Sequence, residues 1–244
     1  MLKELYNFQF NKNQYEEPQT YPRTTIVIAA LNEEQAIGLT IAELNDELAS
    51  PHILVVDGHS RDRTVELAKN LGADVAVQDG LGKGDAISKA LQLTSNNSDY
   101  IVLTDGDFTY PAEYIQGMVK ILEENPEVGM VCGNRLNGEV DSEALYSRFF
   151  LGNKLLQLAH KIINGIPLED PLTGLRVIRT EILKNWNVKS QGFDIEVEMN
   201  SLVKKKGYKS VEVPIQYRQR IGEKKLKMRH GIVILARIIS EALS

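Results

Sequence analysis

The sequence is poor in the residues that build disulfide frameworks and zinc centres. Its single cysteine, Cys132, cannot form an internal disulfide and excludes a Cys-rich zinc site. The four histidines, His52, His59, His160 and His230, are scattered rather than spaced as ligands. No strongly apolar run reaches the roughly 18–20 residues that an ordinary transmembrane helix needs. No basic start followed by an apolar run marks a secretory leader, so a reducing, cytoplasmic setting is expected. Basic residues are not in excess: 28 Lys and Arg stand against 33 Asp and Glu, for a net charge of −5, which argues against a dedicated nucleic-acid binder. Internal repeats and low-complexity tracts are also lacking.

What remains is ordinary for one globular domain. At 244 residues, 43% hydrophobic and 25% charged, the chain can bury one sizeable α/β core, and a second full domain would be tight. The charge is uneven. Between Arg218 and Arg229 six basic residues accompany one acid, Glu223, so this stretch is locally cationic, either as a solvated surface or as a functional one.

From Thr24 onward strand and helix patterns alternate. Thr24–Ala30 is a β-branched apolar run of strand length, and Ile37, Ile41, Leu44 and Leu48 mark one face of a helix. Further strands are expected at 52–56, 73–77, 100–103 and 128–132. Helices are expected between them, one ended by Gly72 and one opened by Pro111. This alternation predicts a mostly parallel, Rossmann-like sheet covered by helices on both faces. In such sheets ligands bind beyond the carboxyl ends of the strands, which selects the residues after Ala30, Val56 and Leu103.

The second half is less regular. Leu145, Phe149, Gly152, Leu156, Ala159 and Ile163 form one helical stripe, and Leu151, Leu155, Leu158 and Ile162 another. An apolar surface this wide is either deeply buried or meets something greasy. Strands are expected at 175–178 and 211–215, with a helix at 195–206 between them. A last helix carries Ile232, Leu235, Ala236, Ile239 and Leu243 on one face. The expected organisation is an N-terminal arm at 1–22, one main α/β domain at 23–230, and an amphipathic C-terminal helix at 231–244.

The strongest local signal is Thr104-Asp105-Gly106-Asp107, directly after an apolar strand. Two carboxylates one residue apart at a strand end can converge on one hard cation, with phosphates and waters completing its shell. A bare Asp-x-Asp is also common in turns, and it is the placement that favours metal binding. Asn32-Glu33-Glu34 after the first strand reads equally well as a helix start, and Asp57 before Gly58 equally well as a turn. Gly82-Lys83-Gly84 could approach a diphosphate, but it fits neither the phosphate-loop nor the dinucleotide spacing.

Taken in order, these segments resemble inverting family-2 glycosyltransferases, especially the dolichol- or polyprenol-phosphate sugar synthases. The resemblance runs through Ala30-Leu31-Asn32-Glu33-Glu34, Val55-Val56-Asp57-Gly58-His59-Ser60, Gly82-Lys83-Gly84-Asp85 and Asp105-Gly106-Asp107 with Tyr110-Pro111. It continues through Gly133-Asn134-Arg135, Asp170-Pro171-Leu172-Thr173-Gly174-Leu175-Arg176, Gly192-Phe193 with Glu196, and Val213-Pro214-Ile215 leading to Arg220, Gly222 and Lys225. It covers about residues 24–229, and the order of the motifs is more specific than any one of them.

The resemblance implies a GT-A fold and transfer of a hexose, with inversion, from a nucleotide diphosphate sugar (UDP- or GDP-linked) to a polyprenyl or dolichyl phosphate. Ala29, Ala30, Leu31, Glu33 and Asp57 would hold the nucleoside, Asp105 would sit near its ribose and diphosphate, and Lys83 would also bind the nucleotide sugar. Asp105 and Asp107 would bind Mg²⁺ or Mn²⁺. Arg135, Arg220 and Lys225 would face phosphates, and Asp170 would lie near the reacting centre. The acceptor implies peripheral binding at the cytoplasmic membrane face, and nucleic acid is not an expected partner. Transfer to a soluble hydroxyl acceptor, with Asp170 as base, and a non-catalytic nucleotide-sugar-binding subunit are the alternatives. Three positions depart from the pattern: Thr109 where many mannose synthases have a Gln metal ligand, Gly58 for an Asp, and Lys224 for a Ser.

Overall fold

A computed structural model describes residues 23–94, 98–136 and 148–243, with side chains of the last segment from Gly152 onward. The expected arm at 1–22, Leu145, and the side chains of Phe149 and Leu151 therefore lie outside the described residues. The first half alternates as its periodicity predicts: β1 (Thr24–Ala30), α1 (Ile37–Glu47), β2 (His52–Asp57), α2 (Thr64–Asn70), β3 (Asp74–Val77), α3 (Lys83–Thr94), β4 (Tyr100–Asp105), α4 (Tyr114–Glu124) and β5 (Val128–Asn134). There follow α5 (Arg148–Asn164), β6 (Arg176–Arg179), α6 (Thr180–Leu183), α7 (Ile195–Lys205), β7 (Lys209–Pro214) and α8 (His230–Ala242). Gly72 ends α2 with φ +82°, a conformation in which a Cβ would be strained. The helix after Pro111 begins three residues later than its first-turn signal suggests, at Tyr114.

Among the described residues the sheet has seven strands in the order β3-β2-β1-β4-β6-β5-β7. All neighbouring pairs are parallel except those of β6, which runs antiparallel to both β4 and β5. Alternate residues of each strand feed opposite layers. Ile26, Ile28 and Ala30 pack with α1 and α4 on one face, while Val27, Leu54 and Val56 pack with α3 and α7 on the other. This two-sided burial explains why the strands read as continuous apolar runs rather than alternating ones.

Register fixes where the chemistry sits. Ala29 pairs with Asp105 and Ala30 with Asp57, so the ends of three parallel strands reach one rim together. The antiparallel strand serves the same rim from the other direction. Because β6 begins at Arg176, opposite Leu103 and Cys132, the loop leading into it, 170–175, arrives where its neighbours leave. Strand β7 ends at Pro214 beside Asn134 and delivers the basic segment there too.

Helices α5, α7 and α8 share a small core of Leu156, Val197, Ile234 and Ile238. This settles which side of α8 faces the core. The stripe of Ile232, Leu235, Ala236, Ile239 and Leu243 faces outward, and Ile234 with Ile238 faces in. The apolar arc of α8 is wider than the strip it buries, and tertiary partners choose which edge faces in. Arg237, beside Ile238, ion-pairs with Asp194 at 3.0 Å, and the Ile238 carbonyl accepts from Asn164. Likewise α5 buries Leu156 and His160 but leaves Leu155, Leu158 and Ile162 exposed. No helix among the described residues is long and apolar enough to cross a membrane.

Candidate active site

Three strand-end turns on the rim each hold a non-glycine residue in the left-handed region: Asn32 (φ 49°), His59 (φ 65°) and Phe108 (φ 65°). Such conformations persist only where surroundings enforce them, and they concentrate at functional sites. The enforcement after β1 and β2 is a lattice of side chain–backbone bonds. Ser60 Oγ accepts from the Asn32 amide at 2.8 Å, Thr64 Oγ1 from the Glu33 amide at 2.8 Å, and Asn32 Oδ1 from the Arg61 amide at 2.8 Å. Asp57 is buried at the base of this lattice. Its Oδ2 accepts from the Ser60 amide at 3.0 Å, while its Oδ1 has no partner among the described residues.

Around this frame the acids and bases form three linked groups. Lys83 at the start of α3 donates to Asp105 Oδ1 and to Glu196 Oε1, both at 2.8 Å. Burial works against the Lys83 charge, but the two carboxylates hold it well above the ordinary lysine value. Burial likewise opposes ionisation of Asp105, yet Lys83, with Arg135 and Arg220, holds it below the usual carboxylate range. Asp107 goes the other way: burial and the neighbouring Asp105 charge raise it, although Thr109 donates a hydrogen bond of 2.6 Å to its Oδ1. Thr109 thus supports Asp107 from the position where the resembling family has a longer amide.

The second group is a fork. The Arg220 guanidinium bridges Asp107 Oδ2 and Glu33 Oε1, and Lys225 Nζ stands 3.8 Å from Glu33 and donates to the Asn32 carbonyl at 3.1 Å. Burial pushes Glu33 up to about 7 against the pull of Arg220 and Lys225. The segment carrying these cations is stitched to the loop after β4 by the amides of Arg218 and Ile221, which donate to the carbonyls of Thr109 and Asp107.

The third group joins Arg135 at the end of β5 to Asp170. Arg135 Nε and Nη2 grip the two Asp170 oxygens at 2.7 Å each, and its amide adds a third bond at 3.1 Å. The guanidinium also lies over the Tyr217 ring, 5.3 Å from the centroid. Lys224 is depressed by burial and by the charges of Arg135 and Arg220, which places three cations close enough to feel one another.

All the residues singled out from the sequence therefore reach one rim, but some do different work there. Gly82 and Gly84 make their close backbone approach to the chain itself. A Cβ on Gly84 would lie 2.0 Å from the Ser190 carbonyl oxygen, and one on Gly82 2.3 Å from that of Gln191. That packing is what brings Lys83 to Asp105. Glu196 was quoted in a motif without a role, and Glu212, which takes the amides of Glu169 and Asp170 at 2.7 Å each, was missed. An acid in a helix's first turn looks in sequence like dipole complementation, and only burial reveals Glu196 as a partner of Lys83.

The donor set near Asp105 is carboxylate oxygen, suited to a hard cation. Among the described residues no group of three or more His, Cys, Asp or Glu forms a complete metal cage. Two aspartates without such a cage fit a cation that takes its remaining ligands from phosphate and water.

A doubly covered α/β sheet with paired aspartates, a braced strand-end frame and a cation array on its carboxyl rim has the layout of a nucleotide-sugar transferase site. The chain belongs to glycosyl transferase family 2, whose model matches residues 25–186. It is 34% identical over 192 residues to glycosyltransferase AglJ of Haloferax volcanii, covering 79% of this chain and 62% of that protein. It is 32% identical over 211 residues to the dolichyl-phosphate hexose transferase of the same organism, covering 85% and 88% of the two chains. In structure it resembles the glucosyl-3-phosphoglycerate synthase of Mycobacterium tuberculosis, solved with Mn²⁺, UDP and phosphoglyceric acid. There the TM-score is 0.74 at 19% identity, over 91% of this chain and 79% of that one, and the likeness establishes the GT-A fold.

Proposed function

We propose that this glycosyltransferase moves a hexose from a UDP- or GDP-linked donor to a polyprenyl or dolichyl phosphate, with inversion at the anomeric carbon. The observation that carries the acceptor assignment is the Arg135–Asp170 pair. Both Asp170 oxygens are committed to one guanidinium, an arrangement that serves to orient a cation rather than to collect a proton. A hydroxyl acceptor needs a base to become nucleophilic. A phosphomonoester does not, because its second pKa lies near about 6 and it is largely dianionic at neutral pH. The 32% identical dolichyl-phosphate hexose transferase supports the same reading.

On the donor side, Asp57 and the frame of residues 29–33 would receive the nucleoside, with the unpartnered Asp57 Oδ1 as an available acceptor. Asp105 and Asp107 would hold Mg²⁺ or Mn²⁺, which when bound supplies electrostatic stabilisation of the departing diphosphate. Lys83 keeps Asp105 ionised for that purpose. Arg220 and Lys225 bring positive charge to the same carboxylates and are placed to meet the negative charge that develops on the leaving group. Arg135 and Lys224 extend the positive field toward the acceptor phosphate.

The outward faces of α5 and α8 suit a chain that meets its acceptor at a lipid surface. Ile162 is 72% exposed, Ile232 74% and Leu243 85%, an apolar display that burial against the sheet does not account for. The basic segment ends where α8 begins, so cations flank the apolar face as anionic head groups require.

The test is transfer itself. Purified protein with Mn²⁺ and each candidate UDP- or GDP-hexose is offered a short-chain polyprenyl phosphate and, separately, soluble hydroxyl acceptors. Lipid-linked hexose of inverted configuration supports the proposal. Glycosylation of a soluble hydroxyl alone, requiring Asp170, would replace it.

A further inference from the structure

Arg176 is completely buried, and among the described residues no carboxylate pairs with it. A buried cation is costly unless its donors are satisfied. Here they are satisfied by neutral oxygens: Nε donates to the Thr173 carbonyl at 2.9 Å, Nη2 to the Pro171 carbonyl at 2.6 Å, and Nη1 to Asn200 Oδ1 at 2.5 Å. An apolar residue would fill this space more cheaply, and what the guanidinium adds is a planar fork that fixes two carbonyls at once.

The fork is one end of a longer chain of buried polar groups. Asn200, on α7, also donates through Nδ2 to the Pro171 carbonyl at 3.0 Å and to His160 Nε2 at 3.2 Å. Since Nε2 accepts, the proton of the neutral imidazole sits on Nδ1, which donates to Asn164 Oδ1 at 2.9 Å. Asn164 Nδ2 then donates to the Ile238 carbonyl of α8 at 3.0 Å. Burial pushes His160 down to about 4, so the imidazole stays neutral across the neutral range.

At its other end the chain holds the segment 170–174. That segment touches both sides of the site. Asp170 orients Arg135, and Gly174 lies so close to Asp105 that a Cβ there would sit 2.6 Å from its Oδ2. The Gly174 amide is tied to the Tyr110 hydroxyl at 2.7 Å. A shift of this loop would therefore move the acceptor-side cation and the metal-side aspartate together.

We infer that Asn200, His160 and Asn164, acting through Arg176, are positioning residues that fix the 170–174 loop for glycosyl transfer. The inference rests on the transferase reading for its kinetic arm and on geometry alone for its exchange arm. The test compares wild type with Asn200→Ala and with Asn164→Ala, which lies at the less buried end and disturbs packing least. Nucleoside diphosphate affinity in Mn²⁺ is measured by calorimetry, transfer with short-chain polyprenyl phosphate, and amide exchange at Thr173 and Gly174. Both variants should exchange faster at those two amides and lose at least about tenfold in kcat, since small misplacements near reacting groups are costly, with a smaller loss of Mn²⁺-dependent nucleotide affinity. Combined with Asp170→Asn, each should cost less than it does alone. Unchanged exchange overturns the inference, and so does a kcat loss that adds fully to that of Asp170→Asn or that tracks an equal loss of nucleotide affinity. If the wild type transfers nothing to the lipid phosphate, the function proposed above fails and the exchange arm still decides this one.

Discussion

At the scale of residues, the site is a set of charges that depend on one another. Asp107 is buried, repelled by Asp105 and compensated by Arg220. Asp107→Ala should therefore abolish Mn²⁺-dependent binding of a nucleoside diphosphate while leaving a folded protein, as calorimetry and circular dichroism would report. Arg220→Ala should lower turnover by about 10²–10³-fold, the usual effect of losing a donor to developing charge, worth roughly 2.7–4 kcal/mol. Lys227, exposed on the same segment, should cost far less when changed to Ala. Equal small losses from both would reduce the basic segment to solvated surface. Much of this was legible in the sequence, because Asp57, Asp105 and Asp107 directly follow or end apolar runs whose period is unambiguous. The bridge from Lys83 to Glu196 was not, since it joins residues 113 positions apart through burial alone.

At the scale of elements, β6 decides how the site is assembled. Its reversed direction lets the 170–175 loop enter the rim that β1, β2 and β4 leave, which an alternation of apolar runs cannot announce. Gly174 is the point of contact, and Gly174→Ala should displace Asp105 and weaken Mn²⁺-dependent nucleotide binding. Retained affinity would show that the loop yields freely. Helix α5 supplies a pH signature. The native His160 is held down to about 4, below the ordinary value near 6.5 of an unfolded chain, so between those limits the unfolded state binds the extra proton. The His160 contribution to stability should therefore be flat above about pH 7 and fall as pH drops from about 6.5 to 4, by up to about 3 kcal/mol, against the opposite trend from the raised Glu33. Denaturant titrations of His160→Gln should show a shallower acid-side fall than wild type. The orientation of α5 and α8 was not legible: both carry apolar arcs wider than the strip they bury, and Ile238 is chosen over Ile239 by partners such as Arg237 and Asn164.

At the scale of the molecule, one sheet rim gathers the braced frame of residues 29–33 and 57, the aspartate pair and the cations, while the helices behind it present apolar side chains outward. Peripheral attachment should be salt-sensitive, because attraction between cations and an anionic leaflet is screened beyond about 8–10 Å at physiological salt. The protein should cosediment with anionic vesicles at low salt and release at high salt. Replacing Leu155, Ile162 and Ile232 together by Ser should abolish that binding without changing nucleotide affinity.

The measurement that bears most directly on the central claim is the fate of labelled hexose when the protein, Mn²⁺ and a UDP- or GDP-hexose meet a short-chain polyprenyl phosphate. A lipid-linked product of inverted anomeric configuration is expected, formed by the wild type, lost in Asp107→Ala and sharply reduced in Arg220→Ala. Hexose recovered only on a soluble hydroxyl acceptor, or lipid transfer undiminished in Asp107→Ala, would contradict the account.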